Sequence, residues 1–418
     1  MSSPSLRRGL VGVTAVLSAV ATLGLSGCGG SHHHRRPAPA PVTQQAPPPP
    51  KPTPPPSDKP WPFYGYSTDR TRIFPHAQNL DPPFRRGWTF RDFALLEFPP
   101  VIYNNTLYFE DYYAHTKAVS VLSGHSIWTR SIGTLAAASP GLDIRHKLVF
   151  FVVLSTNPGA RLPSNGRIVA LSMRSGKIVW SHGLGPGSES SPLVLGNSVI
   201  IGDSGGTVHS YQATNGHTNW TFQASGAVKG GIAFGAGKLF FGDYGGHVYA
   251  LDPASGHEIW SASPGGTFYS TPAVAFGRVY LGNTNGTVYA FSAGSGGSSW
   301  TASTGSYVYA SPAVANIRGL GPTVYEGSYD GNFRAYNALS GAVRWVHPAG
   351  GRINGSATVI GNVVYYADLG LDTSVGLNVR TGQKVFEFKD GEFTPVVADG
   401  RSVFLIGYST IYQLRPKR

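Results

Sequence analysis

Residues 270–300 read STPAVAFGRVYLGNTNGTVYAFSAGSGGSSW. Three short runs rich in strand-forming residues, 271–276, 279–282 and 287–291, are separated by turn residues. Asn285-Gly286 is a hairpin signal, because the tight turns that join two strands need a positive φ at their centre. Ser295-Gly296 then leads into a fourth strand that carries Trp300. The stretch therefore predicts a four-stranded antiparallel unit.

A glycine, three residues and an aromatic recur seven times along the chain, and Trp88 lies 40 residues before the first of these aromatics without the glycine; five of the seven intervals between the eight aromatics are 40 or 41 residues. A period of about 40 residues with four strands per unit predicts a β-propeller, in which sheets are stacked as blades around a central axis. We expect each aromatic ring to be buried where one blade meets the next. The rings assigned to this role are Trp88, Trp128, Trp180, Trp220, Trp260, Trp300, Trp345 and Phe386.

The repeat predicts an all-β, eight-bladed propeller, because eight third strands can be counted. The last of these, 410–414, has no outer strand after it, and the chain begins with an unpaired outer strand at 86–90. We expect the N-terminal strand to complete the final blade and close the ring without an exposed sheet edge. Longer intervals between the aromatics predict extra loops near 156–164 and 316–321.

The chain before the propeller divides into two predicted segments. Residues 1–27 have Arg7 and Arg8 before an apolar run, as in a secretory signal, and they end in Leu25-Ser26-Gly27 before Cys28. This ending resembles a bacterial lipoprotein signal, whose cysteine is diacylated. Residues 28–60 are a Pro-rich linker with polyproline II tendency, and 61–418 are the propeller. The prediction is an extracytoplasmic protein held by lipid to the cell membrane or to an outer membrane.

Charge and cysteine content narrow the classes of function. The formal net charge is +12, yet basic residues are scattered rather than grouped with aromatics, which argues against nucleic-acid binding. Cys28 is the single cysteine in the sequence, so thiol chemistry and disulfides are not expected in the mature protein.

Residues 248–260, VYALDPASGHEIW, and 270–274, STPAV, resemble the repeat of the PQQ-type (pyrroloquinoline quinone) propeller family, as does the opening Trp61-Pro62-Phe63-Tyr64-Gly65. The likeness covers about 61–418. That family includes quinoprotein dehydrogenases and non-catalytic lipoproteins such as BamB. The dehydrogenases carry adjacent disulfide-bonded cysteines, a calcium site and a catalytic aspartate, so the resemblance with a single cysteine implies the non-catalytic, BamB-like branch, without cofactor or metal.

A candidate binding site follows from aligning the innermost strands on their Ser/Thr-Pro start. Residues just before that start should ring one mouth of the central channel, where carboxylates, tyrosines and a lysine would suit a polar ligand, a cation or a peptide loop. A water-filled polar mouth without a ligand is the alternative. The candidate residues are Glu97, Glu189, Lys229, Tyr269, Tyr309, Asn354 and Glu392.

The sequence therefore predicts a lipid-anchored, non-catalytic scaffold, a monomer that binds another envelope protein or a wall polymer. A BamB-like factor for assembly of outer-membrane proteins is the first alternative. A PQQ-dependent oxidoreductase is the second.

Overall fold

The computed structural model describes residues 59–157, 164–393 and 396–417, and every regular element among them is a strand. The strands, in chain order, are β1 (Ile73–Phe74), β2 (Phe84–Arg91), β3 (Val101–Tyr103), β4 (Thr106–Glu110), β5 (His115–Ser120), β6 (Ser126–Ser131), β7 (Gly141–Asp143), β8 (Leu148–Val153), β9 (Gly166–Ser172), β10 (Ile178–Leu184), β11 (Leu193–Leu195), β12 (Ser198–Gly202), β13 (Thr207–Gln212), β14 (Thr218–Gln223), β15 (Ala233–Gly235), β16 (Lys238–Gly242), β17 (Val248–Leu251), β18 (Glu258–Ala262), β19 (Ala273–Ala275), β20 (Arg278–Gly282), β21 (Thr287–Ser292), β22 (Ser298–Ser303), β23 (Ala313–Ile317), β24 (Gly321–Gly327), β25 (Asn332–Asn337), β26 (Val343–Pro348), β27 (Thr358–Ile360), β28 (Val363–Asp368), β29 (Thr373–Asn378), β30 (Lys384–Phe388), β31 (Val396–Ala398), β32 (Val403–Ile406) and β33 (Thr410–Pro416).

These strands form eight sheets, antiparallel except where β1 joins β27, which confirms the predicted eight-bladed propeller. Blades 1 to 7 each take four consecutive strands, starting from β3, β7, β11, β15, β19, β23 and β27. Blade 8 has the order β31, β32, β33 and then β2 from the N-terminal side. The predicted extra residues at 316–321 lie in a lengthened hairpin between β23 and β24.

Ring closure by the N-terminal strand is confirmed. Strand β2 runs antiparallel to β33, with Phe84 opposite Pro416 and Arg91 opposite Thr410. A register irregularity lies between Arg86 and Thr89. The pairing covers the outer edge of β33, so a strand from the N-terminal part of the chain and the last strand share one blade.

A second N-terminal segment, Trp61–Phe74, crosses the central channel; we call it the channel segment. Its end, β1, pairs in parallel with β27. In blades 1, 2, 4, 5, 6 and 7, the backbone N–H of the second residue of the first strand donates to a channel-segment carbonyl at 2.7–3.0 Å. These donors would otherwise face an empty channel, where unpaired backbone groups are costly. The acceptor carbonyls belong to Trp61, Pro62, Thr68, Asp69, Thr71 and Arg72.

The repeated tryptophans lie at the junctions between blades. Each indole N–H from Trp88 to Trp345 donates to a backbone carbonyl in the turn between the third and fourth strands of the following blade. The repeated glycine of that next turn lies against the indole ring. Phe386 occupies the last junction and meets Phe84 of blade 8 edge-on at 5.5 Å.

Where a Ser or Thr precedes the inner strand, its hydroxyl links neighbouring blades at four of the described junctions. The hydroxyl of Thr271 accepts the N–H of Gly231 at 2.8 Å, Ser311 accepts from Thr271 at 2.9 Å, and Ser356 accepts from Ser311 at 2.9 Å. Ser191 accepts the N–H of Ser139 in the same way at 3.0 Å. The motif that aligned the blades in the sequence is therefore a chain of contacts around the channel.

The predicted signal 1–27, the acylation site Cys28 and the linker up to residue 58 lie outside the described residues, as does most of the predicted loop at 156–164. Within the described ranges, no helix is long and apolar enough to cross a membrane.

Candidate functional site

A recess opens at the end of the channel where the inner strands begin; we call it the cup. It is a small cavity of ≈ 40 Å³, which is room for a few water molecules. Its lining comes mostly from the residues just before the inner strands, and one lining residue, Tyr64, comes from the channel segment. The lining residues are Tyr64, Glu97, Phe98, Glu189, Ser191, Lys229, Gly230, Gly231, Tyr269, Thr271, Tyr309, Ser311, Asn354, Ser356 and Phe393.

Six of the seven predicted site residues line the cup: Glu97, Glu189, Lys229, Tyr269, Tyr309 and Asn354. Glu392 is not among the lining residues. Burial raises the pKa of its carboxyl, and the charges of Asp372 and Asp390 raise it further. Blade 8 contributes the neighbouring Phe393 instead.

The alignment of blade 4 needs a correction of one residue. Aligning blade 4 from the sequence with Gly230 as the Ser/Thr equivalent puts Val228 two positions before it, at the channel mouth, and Lys229 one position before it. Because β15 begins at Ala233 and the N–H of Gly231 bonds the hydroxyl of Thr271, Gly231 is the equivalent residue. Lys229 therefore takes the position that Tyr269 holds in blade 5, and Val228 is fully buried in the core.

The polar centre of the cup joins three blades. The ammonium of Lys229 donates to Oε1 of Glu189 at 2.7 Å. The hydroxyl of Tyr269 donates to Oε2 of Glu189 at 3.1 Å. Both carboxylate oxygens of Glu189 therefore have a partner, and the carboxylate is fixed in place between a cation and a phenol.

Glu97 is the second carboxyl of the cup. Burial and, to a smaller extent, the nearby charge of Glu189 raise its pKa to about 7, against the opposing charge of Lys229. Near neutral pH this carboxyl therefore takes up or releases a proton readily. Burial also raises the pKa of Tyr269 well above its ordinary value, so this phenol remains a hydrogen-bond donor.

Tyrosines form an arc on one side of the cup. Tyr269 contacts Tyr244 and Tyr309, with ring centroids 6.3 and 5.8 Å apart, and Tyr309 contacts Tyr329 at 5.1 Å. Tyr307 extends the arc outwards and is about half exposed. Aromatic rings with one polar atom are suited to contacts with a partner, because they combine apolar area with hydrogen bonding.

The floor of the cup is built from the channel segment. The guanidinium of Arg70 is fully buried and donates to the carbonyls of Tyr64, Ile232, Ser191 and Pro192 at 2.6–3.2 Å. Burial and the charge of Arg72 lower the pKa of Arg70 to about 9. The guanidinium of Arg72 stacks 3.9 Å from the ring centroid of Tyr64, whose hydroxyl contacts that of Ser356 at 2.9 Å. The cup is thus a blind recess.

Sequence reasoning did not find this floor. The feature that could have indicated the floor is the pair Arg70 and Arg72, which lies in the channel segment and not in a blade. A buried arginine needs several hydrogen-bond acceptors, so such a pair would have to contact the backbone of the blades. Only their positions in the structure connect them to the channel.

Outside the cup, Ser225 approaches the Nδ1 of His247 at 2.7 Å and a carboxylate oxygen of Asp243 at 2.7 Å. This is not a nucleophile–base–acid relay, because Ser225 and Asp243 meet the same ring nitrogen of His247. In the described ranges, no group of three or more His, Cys, Asp or Glu side chains could hold a metal ion.

A family model described as "Outer membrane protein assembly factor BamB" matches residues 117–229 and 204–418, which is well over half of the chain. The BamB of Moranella endobia is 26% identical over 111 residues, a match that covers 26% of this chain and 25% of that protein. The chain thus matches only about a quarter of this curated relative.

Two solved structures have the same fold. The BamB of Moraxella catarrhalis has a TM-score of 0.66 at 18% identity, covering 81% of this chain and 99% of that chain. The quinohemoprotein alcohol dehydrogenase of Comamonas testosteroni has a TM-score of 0.70 at 16% identity, covering 87% and 81%. At 16–18% identity the likeness shows the fold alone, and this fold occurs both in BamB and in a dehydrogenase.

Proposed function

This chain belongs to the PQQ-repeat propeller family whose model is described as outer membrane protein assembly factor BamB, and we propose that it is an exported, lipid-anchored binding scaffold at the cell envelope without catalytic activity. Its cup face meets the partner, which is another envelope protein. Cys28 carries the lipid, and the length of the Pro-rich linker limits how far the propeller can lie from the membrane.

The observation that carries this proposal is the blind cup. A recess of ≈ 40 Å³ suits one side chain of a partner better than a large cofactor. Its carboxyls at Glu97 and Glu189, beside the rings of Tyr269 and Tyr309, favour a cationic side chain on a protruding loop. Since Tyr64 and the two arginines beneath it close the channel, such a loop would dock at the mouth and not thread through the ring.

The residues of the cup are less suited to the quinone cofactor of an oxidoreductase. Pyrroloquinoline quinone bears several carboxylates and would face the carboxyls of Glu97 and Glu189, whereas the ammonium of Lys229 is already bonded to Glu189. The cysteine pair of the dehydrogenases is missing from the sequence. The residues of the cup therefore do not fit a bound quinone.

Chemical crosslinking in membranes followed by co-purification tests the scaffold. The double variant Glu189→Gln/Tyr269→Ala should lose the partner that the wild-type protein captures, because it loses a fixed charge and an aromatic wall. Glu258→Gln/Ile259→Ala is the matched control, since these exposed residues lie on the outer strand of blade 4. Equal capture by both variants, each shown to be folded, would contradict the proposal.

A cofactor titration addresses the enzymatic class directly. We expect no stoichiometric quinone absorbance after incubation with pyrroloquinoline quinone and calcium. Dye-linked alcohol oxidation by the reconstituted protein would overturn the non-catalytic proposal.

Outer-membrane protein assembly is the second candidate, favoured by the family description and by the 99% coverage of the Moraxella catarrhalis BamB structure. In that case depletion in an organism with two membranes would lower the amounts of folded outer-membrane proteins, and the crosslinked partner would be an assembly protein.

A further inference from the structure

The two faces of the ring carry opposite charge. On the cup face lie the loops that join blades and the loops between second and third strands. In the described part of these loops there are ten acidic and three basic residues. The acidic residues are Asp92, Glu97, Asp111, Glu189, Asp203, Asp243, Asp330, Asp372, Asp390 and Glu392, and the basic ones are Lys229, Arg352 and Lys389.

The opposite face, which we call the base, carries the turns between first and second and between third and fourth strands. Across the described turns of the base, basic residues outnumber acidic ones by seven to two. The basic residues are Arg145, Lys147, Arg174, Lys177, Arg318, Arg380 and Arg401, and the acidic ones are Asp252 and Asp399. Asp399 is also paired with Arg401 at 3.1 Å, so the unpaired excess on the base is positive.

The basic side chains of the base reach solvent. Arg145, Lys147, Arg174 and Lys177 are all exposed and all belong to the two base turns of blade 2. Four cations at one edge of a rigid ring form a surface that attracts anions collectively, whereas single scattered cations would be screened by salt.

The chain also enters the ring at the base. Lys59, the first described residue, lies beside Gly400 in the turn between β31 and β32. The 58 residues that precede it, with Cys28 among them, therefore join the propeller on its basic side.

From the charge of the base and the entry point of the chain, we propose that the base lies against the anionic lipid headgroups of the membrane that holds the protein. This rests on the proposed lipid anchor. Basic residues near a membrane surface gain from anionic lipids within a Debye length. A diacyl anchor already gives stable attachment, so the base sets orientation: the acidic cup face points away from the membrane, towards a partner.

Fluorescence quenching by headgroup-linked nitroxide lipids tests this orientation on the acylated protein in vesicles. With Cys28 acylated, an introduced cysteine would be the single free thiol for a fluorophore. His217→Cys places it on an exposed turn of the base, and Asn285→Cys places it on an exposed loop of the cup face. In vesicles of phosphatidylcholine with phosphatidylglycerol, we expect the fluorophore at position 217 to be quenched and the fluorophore at position 285 to keep its full emission.

Two comparisons sharpen the result. Arg145→Glu/Arg174→Glu should abolish the quenching at position 217, as should high salt or vesicles of phosphatidylcholine alone. Arg352→Glu/Lys389→Glu makes the same change in net charge on the cup face and should leave the quenching unchanged.

Equal quenching at both positions, or quenching at position 217 that survives the base variant, would overturn the proposal. Soluble polyphosphate, added at the same total charge as the anionic lipid, provides a further test. If it removes the quenching at position 217, the proposal is overturned and the base is assigned to a wall polymer. Mass spectrometry of Cys28 separates the two proposals: an unacylated cysteine contradicts the lipid-anchored scaffold, whereas an acylated protein without quenching at position 217 contradicts the docked base alone.

Discussion

The indole ring of Trp260 lies against Gly296 of the next blade. A Cβ atom on Gly296 would be 2.6 Å from Cε3 of Trp260, and Gly296 itself has a φ of +73°. The indole N–H donates to the carbonyl of Ala293 at 3.3 Å in the same turn. The 40-residue period of the sequence therefore reflects a contact between consecutive blades: each glycine is required by the tryptophan of the blade before it.

Gly296→Ala should lower the free energy of unfolding by about 2 to 4 kcal/mol, because a side chain at this positive φ is strained and the added methyl group collides with an indole that has no free space. The measurement is the midpoint of urea unfolding followed by tryptophan fluorescence.

Gly297→Ala is the matched control, because a Cβ at Gly297 would meet only the hydroxyl of Ser295 at 3.5 Å. It should change the unfolding free energy by less than about 0.5 kcal/mol. Similar midpoints for the two variants would show that the glycine is not constrained by Trp260.

The blades could be predicted from the sequence because each one repeats the same local signals. Turn pairs such as Asn285-Gly286 indicate the hairpins. The strand around Trp88 has no partner near it in the sequence, and the last blade lacks an outer strand, so the two could be paired from the sequence. The register of blade 4 was harder to predict to the residue, because Gly231-Ile232 replaces the Ser/Thr-Pro motif and offers neither the hydroxyl nor the proline to align.

The channel segment could not be predicted, because its backbone pairs with residues from blades that are far apart in the sequence. Nothing local in Thr68–Arg72 identifies Phe234 or Val314 as partners. The charge difference between the two faces was hidden for a similar reason: the net charge of the chain sums both faces, and only the strand order assigns each loop to one of them.

Arg70 provides a test of the channel segment. Arg70→Met should lower the free energy of unfolding by about 3 to 5 kcal/mol, because it leaves four buried carbonyls of three separate segments without their donor. Differential scanning calorimetry of the purified protein checks this.

The control for Arg70→Met is Arg85→Met, which makes the same change at an exposed position of β2. We expect little change in its melting temperature. If Arg70→Met melts with the control, the floor of the cup does not depend on this guanidinium.

Ser311 tests the linkage between inner strands. Ser311→Ala removes the acceptor for the N–H of Thr271 and leaves a buried donor unpaired, which should cost about 1 to 3 kcal/mol. Ser298→Ala removes a hydroxyl from an exposed position of β22 and should be nearly neutral. Hydrogen exchange at the amide of Thr271 provides a local readout: it should become faster in Ser311→Ala alone, and unchanged exchange would contradict the proposed link between the two inner strands.

Glu97 gives the protein a pH dependence with a definite sign. Its pKa in the folded protein is about 7, above the ordinary value of 4.5, with burial as the main cause and the charge of Glu189 second. Between these two pH values the folded protein binds more protons than the unfolded chain, so the free energy of unfolding falls as the pH rises through this window. Below pH 4.5 the effect is absent, and above pH 7 it is complete at about 3 kcal/mol.

Glu97→Gln should remove this part of the pH dependence, because glutamine resembles the protonated carboxyl at every pH. We therefore expect wild type and Glu97→Gln to have similar unfolding midpoints at pH 4 and the variant to be the more stable protein at pH 8. The exposed Glu258→Gln should follow the wild-type curve throughout. Parallel curves for wild type and Glu97→Gln between pH 4 and pH 8 would mean that Glu97 ionises in the cup as easily as in water.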